Sequence, residues 1–344
     1  MKPVPIGLVG AGAFGLFCLD AFAEMPEVRI AAVADTDFGR ADAAAARHQA
    51  KAYYSLDAML KDASVEIVAL NTPPFLHAEG GLAVVRSGRH LFAEKPLTLT
   101  LEEGEILLQE ARANRVRLTV DYVMRRNPFW DATTRLRRDG VLGALLHMDL
   151  INHAAGLDLP PSHWFWEREK SGGIWVEHGV HFFDAFAWVS GYAGEITGVQ
   201  SFARADGAVD RVECLARFGA AAAHFYHGFT HSARTEQTTV RLTFEQGYVT
   251  LREWVPTSIE IVTPLSSDLL IDYLPSEAEP VETTPTGTFR LISRAPEGKS
   301  AVYRACIQAG MSDLARAVRE PEHSLSVTGQ EALNSLRLAV QASR

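Results

Sequence analysis

Six residues near the N-terminus constrain this chain more than any others: Gly10-Ala11-Gly12-Ala13-Phe14-Gly15. They follow a short aliphatic run, Val4, Ile6, Leu8 and Val9, and open a helical pattern over residues 16–25. A second apolar run over residues 28–34 closes on Asp35, twenty positions after Gly15. Strand, glycine turn, helix, strand, acid is the order that a dinucleotide-binding βαβ unit requires. Gly10 permits the tight turn, Gly12 lets the backbone approach a pyrophosphate, and Gly15 lets helix and strand pack closely. The helix N-terminus offers N–H groups and a positive dipole end to the phosphates. Asp35 would accept hydrogen bonds from the adenosine ribose, with Thr36 beside it. Asp35 and Asp37 repel a 2′-phosphate, and no arginine directly follows Asp35, so NAD is expected over NADP. Arg40 is the one neighbour able to swing toward such a phosphate.

Strand and helix patterns alternate through residue 122, with strands ending at Gly10, Asp35, Asn71, Glu94 and Tyr122. Short connections between alternating elements imply a parallel sheet covered on both faces, with its ligand crevice outside the C-terminal strand ends. Beyond a helix over 129–139 and a strand over 144–153 the pattern changes. Residues 196–254 read as successive alternating strands, which implies a mainly antiparallel sheet. The Pro-, Ser- and Thr-rich stretch 264–300 reads as an irregular excursion, and two helical patterns end the chain. The fold class is therefore α/β plus α+β: an N-terminal Rossmann domain over 1–123, then an open-sheet substrate-binding and oligomerisation domain over 124–344. At 344 residues the chain is long enough for both.

Composition narrows the partners. A formal net charge of -9 argues against nucleic acid. Arg125, Arg126, Arg135, Arg137 and Arg138 form one basic cluster, read as a solvated helix face rather than a phosphate patch. Cys18, Cys214 and Cys306 are odd in number and far apart, which suits reduced thiols and gives no zinc ligand pattern. Lys2, the apolar stretch 6–19 and Ala21-Phe22-Ala23 imitate a signal peptide, but cleavage there would destroy the glycine turn. No run of about twenty apolar residues exists elsewhere. A cytoplasmic protein without membrane partners is expected.

Two further constellations carry chemistry. Glu94-Lys95-Pro96 follows a strand of the nucleotide domain, and the proline holds Lys95 out of the α region. A lysine beside a nicotinamide can stabilise a developing alkoxide. The segment Gly172-Gly173-Ile174-Trp175-Val176-Glu177-His178-Gly179-Val180-His181-Phe182-Phe183-Asp184 places Glu177 and His181 four residues apart, on one face of a helix start. A carboxylate and an imidazole together suit the movement of a hydroxyl proton. The rival reading is a metal held by His178, His181 and Asp184, but no established histidine signature matches, and no metal is expected. Trp164, Phe165, Trp166 and Trp175 flank the segment and could stack on a sugar ring. His153 and His163 read as structural. His224 faces opposite to His227, so His224, His227 and His231 form no compact ligand set.

The chain resembles the Gfo/Idh/MocA family, the glucose-fructose oxidoreductase and inositol dehydrogenase group. The residues carrying the likeness are the glycine turn with Asp35, Asn71-Thr72-Pro73-Pro74 with His77, and Glu94-Lys95-Pro96. Arg126 with Pro128, Gly140-Val141-Leu142-Gly143 and the segment 172–184 complete the set, in family order over about the first 190 residues. The resemblance implies an active site between the two domains, with Lys95 and His181 catalytic. The family usually has aspartate where this chain has Glu177. Asn71, Thr72, Pro73, His77, Glu94 and Lys95 join Ala13, Phe14 and Arg40 as expected cofactor contacts. Tyr122, Arg126, Trp164, Glu177 and His178 are expected to touch substrate.

The expected function is hydride transfer between NAD and a secondary hydroxyl of a sugar, polyol or cyclic alcohol, in a homodimer or homotetramer. Two alternatives use the same parts. One is an NAD-recycling enzyme that oxidises a sugar transiently while eliminating or isomerising it. The other is a sugar- or nucleotide-sensing regulator without chemistry.

Overall fold

The first apolar runs and helical patterns fold into a parallel sheet. The computed structural model describes residues 2–61, 64–281 and 287–344. Its opening elements are β1 (Val4–Val9), α1 (Ala13–Ala23), β2 (Val28–Ala34), α2 (Phe38–Arg47), β3 (Lys51–Tyr53) and α3 (Leu56–Leu60). They continue with β4 (Ile67–Leu70), α4 (His77–Arg86), β5 (His90–Ala93), α5 (Leu101–Ala113) and β6 (Leu118–Val120). The strand order is β3-β2-β1-β4-β5-β6, and every neighbouring pair is parallel. That order is the doubly wound Rossmann arrangement, whose switch point lies between β1 and β4. Ile6, Leu8, Val33, Ile67, Val68 and Leu91 are fully buried, because both faces of the sheet are covered.

The chain forms two compact units. The first comprises Met1–Tyr122, Glu169–Ser171 and Arg304–Leu336; the second comprises Val123–Arg168, Gly172–Tyr303 and Arg337–Arg344. The sequence division instead assigns everything from 124 onward to the second domain. Residues 304–336 join the first unit through specific contacts. Arg319 grips Glu66 with two nitrogens at 2.7 and 3.0 Å. Gln308 donates to the Ala21 carbonyl at 2.9 Å, and the Thr119 hydroxyl donates to the Val327 carbonyl at 2.9 Å. Met311, Leu314 and Leu336 bring fully buried side chains, a coverage that a linear reading of helical periodicity does not reveal.

The second unit begins with α6 (Pro128–Arg138) and β7 (Leu145–His153) and, beyond α7 (Arg168–Ser171), of which it holds only Arg168, continues with α8 (Val180–Ser190). Next come β8 (Glu195–Ala203), β9 (Val209–Phe218), β10 (Ala221–Gly228), β11 (Gln237–Phe244), β12 (Gly247–Arg252) and β13 (Ser258–Thr263). The nine-stranded sheet has the order β14-β15-β13-β12-β11-β7-β10-β9-β8, where β14 is Ala278–Val281 and β15 is Phe289–Arg294. All neighbours are antiparallel except β7 and β10, because β7 arrives early in the chain and inserts between two later strands. The stretch expected to be irregular therefore supplies two strands. Phe289, Leu291 and the buried Ser293 alternate along β15 against β13, a short signal hidden among prolines and serines; residues 282–286 lie outside the described residues. The helices α9 (Lys299–Arg319) and α10 (Gly329–Ala342) close the chain.

One face of this sheet packs on α6 and α8. Phe186 and Phe183 on α8 lie 4.5 and 4.8 Å from the Phe225 ring, and Trp130 on α6 lies 6.2 Å from Phe186. Cys214, Ala216, Val240 and Leu242 face the same side and are buried. The N-terminal turns of α8 are anchored by Asp184, whose two oxygens receive Arg125 Nε and Nη2 at 2.8 and 2.9 Å, with both side chains buried. Arg135 and Arg138 pair with Asp131 and Asp139, so three members of the arginine cluster have carboxylate partners within the chain.

Candidate active site

The nucleotide half is built at the strand ends of the first unit. Gly10 has φ +95°, and a Cβ there would lie 2.5 Å from the Asn71 carbonyl oxygen. A Cβ at Gly15 would collide with the Gly10 carbonyl, whereas one at Gly12 would meet nothing within 4 Å. The first and third glycines are thus held by the protein's own packing, and the second borders open space that suits an approaching pyrophosphate. Gly12 starts α1 with no side-chain cap.

Asp35 accepts the Ala11 N–H at 2.8 Å on one oxygen, and the Asp37 N–H at 2.8 Å with Arg40 Nη2 at 3.0 Å on the other. Burial alone would raise its pKa. The Asp37 N–H, the Arg40 guanidinium and the Ala11 N–H outweigh that and hold it below the ordinary carboxylate value. The carboxylate is therefore charged at neutral pH. Arg40 is turned onto it, and its own side chain remains 54% exposed.

His77 stands at the start of α4. It is 1% exposed, with Nδ1 2.6 Å from the Pro96 carbonyl and Nε2 2.7 Å from the Thr72 carbonyl. Both ring nitrogens are engaged by backbone, so the ring is a strut tying the loop after β4 to the turn that carries Lys95. Tyr122 is also fully buried. Lys95 is half-buried, behind a cis peptide to Pro96. Glu94 is buried, and its carboxyl lies against that of Asp121, a residue the motif reading passed over.

The segment expected to move a proton, residues 172–184, lies in the second unit. Residues Trp175–Gly179 form a π-type turn that leads directly into α8. Its extra residue per turn alters the four-residue alignment of Glu177 and His181 that an ideal α-helix would give. Such insertions recur at functional sites. Gly179 fits this turn closely, since a Cβ there would come within 2.6 Å of the Trp175 ring.

His181 is 3% exposed and sits 5.5 Å from the Trp254 ring and 6.2 Å from His178. Behind them is His227, 5.5 Å from His178 and fully buried. The Thr238 hydroxyl donates to Asn152 Oδ1 at 2.8 Å, and the Asn152 amide faces His227 Nδ1 at 2.9 Å. Asn152 therefore donates to Nδ1, which leaves the proton of this neutral ring on Nε2. Burial, then the nearby His178, pushes the His227 pKa well below its usual value. Asn152, Thr238 and Trp254 are absent from the motif reading, and His227 enters it only in a ligand set that does not form. His227 was legible as inward-facing from strand alternation, but its partners come from three other strands or turns. His224, on the opposite face as expected, pairs with Asp149 at 2.8 Å.

Trp164 is half-buried and stacks on His163, whose Nδ1 accepts the Phe165 N–H at 3.2 Å. Trp175 is buried against His227, and Arg126 is half-buried. Among the described residues no three His, Cys, Asp or Glu side chains form a metal-binding group.

Residues 4–122 match the description "Oxidoreductase family, NAD-binding Rossmann fold" of the Gfo/Idh/MocA group, and residues 130–250 match its C-terminal domain. The chain belongs to the Gfo/Idh/MocA oxidoreductase family. The rhizopine catabolism protein MocA of Rhizobium meliloti is 31% identical over 186 residues, 54% of this chain and 57% of that protein. A dTDP-3,4-didehydro-2,6-dideoxy-alpha-D-glucose 3-reductase from Saccharopolyspora spinosa is 27% identical over 263 residues, 74% of this chain and 78% of that protein. Relatives named as inositol 2-dehydrogenases match at 26% and 27% identity. The chain spans 55% to 57% of the length of several curated relatives it matches. A levoglucosan dehydrogenase solved with NADH and L-sorbose shares the fold with a TM-score of 0.82 at 19% identity, covering 100% of this chain and 97% of that one. No helix among the described residues is long and apolar enough to cross a membrane.

Proposed function

We propose that this protein is an NAD-dependent dehydrogenase that oxidises a secondary hydroxyl of a sugar, polyol or cyclic alcohol. The observation that carries this reading is the nucleotide half: an uncapped helix start, open space at Gly12 and a charged Asp35. Gly10, Gly12, Ala13, Phe14 and Gly15 would cradle the pyrophosphate. Asp35 and Thr36 would take the adenosine ribose, with Asn71, Thr72, Pro73 and Glu94 lining the nicotinamide half. A bound nicotinamide would supply the hydride acceptor. The Asp35 charge disfavours a 2′-phosphate, and Arg40 is engaged with Asp35 rather than extended toward one.

His181 would take the hydroxyl proton. Its Nδ1 is buried, so Nε2 is the atom assigned to that task. Lys95 would orient the oxygen and stabilise the charge that develops on it. Glu177 would hold a neighbouring hydroxyl, and Arg126, Trp164 and His178 would shape the rest of the substrate contact. The relatives named as inositol and sugar oxidoreductases support this substrate class.

Incubation with NAD and a panel of polyols and sugars, with NADH and product followed separately, tests the reading. NADH and ketone formed in equal amounts would support it. Product without NADH would replace it with a cofactor-recycling reaction, and neither product nor NADH from any member would leave a binding role.

A further inference from the structure

The nicotinamide half contains a pair of carboxyl groups that no motif predicts. In a doubly wound sheet the second mononucleotide half is built on β4, β5 and β6. Glu94 follows β5 and Asp121 follows β6, and the Asp121 N–H donates to the Ala93 carbonyl at 2.9 Å, which sets the two residues side by side. Glu94 is 8% exposed and Asp121 1%. Glu94 Oε2 accepts the Lys95 N–H at 3.3 Å, Oε1 and both Asp121 carboxyl oxygens are buried, and the two side chains interact across the strand ends.

Groups that interact with the pair include the Lys95 ammonium and the Cys18 thiol from α1, and the Asn71 amide donates to Cys18 Sγ at 3.4 Å. Burial, then Glu94 and Asp121, pushes the Cys18 thiol well above its ordinary value, so it stays neutral. Burial and then Asp121 likewise push the Glu94 carboxyl well up. Two buried carboxylates in contact cannot both ionise at neutral pH, and a hydrogen bond between them requires a proton on one.

We propose that Asp121 is a positioning residue: Asp121 and Glu94 hold one proton between them, so the ends of β5 and β6 carry a single buried negative charge that favours the cationic, oxidised nicotinamide over its neutral, reduced form. This rests on the dinucleotide reading of the first unit. The arrangement also fixes how the site responds to substitution. Replacing either acid by its amide substitutes the protonated member and leaves the other ionised, so each single variant keeps one negative charge. Replacing both removes it.

The test measures dissociation constants of NAD and of NADH by tryptophan fluorescence for wild type, Asp121→Asn, Glu94→Gln and the double variant. Infrared spectra of the cofactor-free proteins at pH 7 accompany them. Wild type should show a carboxylic-acid carbonyl stretch that fades as pH rises and is missing from both single variants. The ratio of NADH to NAD dissociation constants should be kept within about threefold in each single variant and fall about tenfold in the double variant. A wild-type spectrum without the acid band overturns the shared proton, and needs no variant to fold. An acid band with an unchanged ratio in a cooperatively folded double variant overturns the charge role. Wild type that binds neither cofactor overturns the dinucleotide reading and this inference with it, an outcome distinct from both others.

Discussion

Lys95 owes its position to its neighbours: Pro96 restricts its backbone, and His77 clamps the Pro96 carbonyl to the loop after β4. Its proposed role is to stabilise charge present only in the transition state. Lys95→Met is therefore expected to retain NAD affinity while losing about a hundredfold or more in kcat. Stopped-flow turnover beside an NAD titration checks this, and near-normal kcat would make Lys95 a surface lysine. Glu177 is expected to act differently. If its carboxylate holds a substrate hydroxyl, Glu177→Asp withdraws that acceptor by about 1.5 Å, raising KM or reordering the preferred substrates while hydride transfer survives. A uniform drop in kcat across the panel, with KM unchanged and the pH profile shifted, would assign Glu177 to His181 instead. Individual residues were legible where a backbone rule forces their identity, as at Gly10 and Gly15. They were illegible where their meaning comes from a distant strand, as with Asp121 beside Glu94.

At the scale of elements, the parallel sheet follows from its sequence because each strand is an apolar run closed by a turn, and each helix packs on the strands beside it. The second sheet was only partly readable, since β7 pairs with β10 and β11, far away in sequence, and β15 is a brief alternation inside a polar stretch. The π-type turn before α8 left no periodic signature at all. That turn rests on a histidine buried in β10, which has a consequence for stability. The His227 pKa is lowered in the folded protein, so the unfolded chain binds a proton below its ordinary value of about 6.5 that the folded chain refuses. The contribution of His227 is thus present above that pH and lost as pH falls through it. Wild type should lose melting temperature between pH 7 and 5 more steeply than His227→Gln, which has no imidazole to protonate. Parallel Tm-against-pH curves for the two proteins would contradict this.

At the scale of the whole molecule, the second sheet packs one face on α6 and α8, and among the described residues its other face carries exposed apolar side chains. Val212, Cys214, Ala216 and Phe225, which alternate along β9 and β10, face inward and are already buried. The outward face carries Leu215, 54% exposed, with Val209 and Phe202 at 42% and 39%, among polar groups such as the Asp149–His224 pair. Such a face suits a second copy of the chain. Light scattering at micromolar concentration is expected to give a dimer or tetramer mass, and a monomer mass would count against it. Every role proposed for these residues rests, however, on the nucleotide. Calorimetric titration of the purified protein with NAD and with NADP tests that most directly. Tighter binding of NAD, weakened in Asp35→Ala, is the predicted result; tighter binding of NADP, or no binding of either, would contradict it.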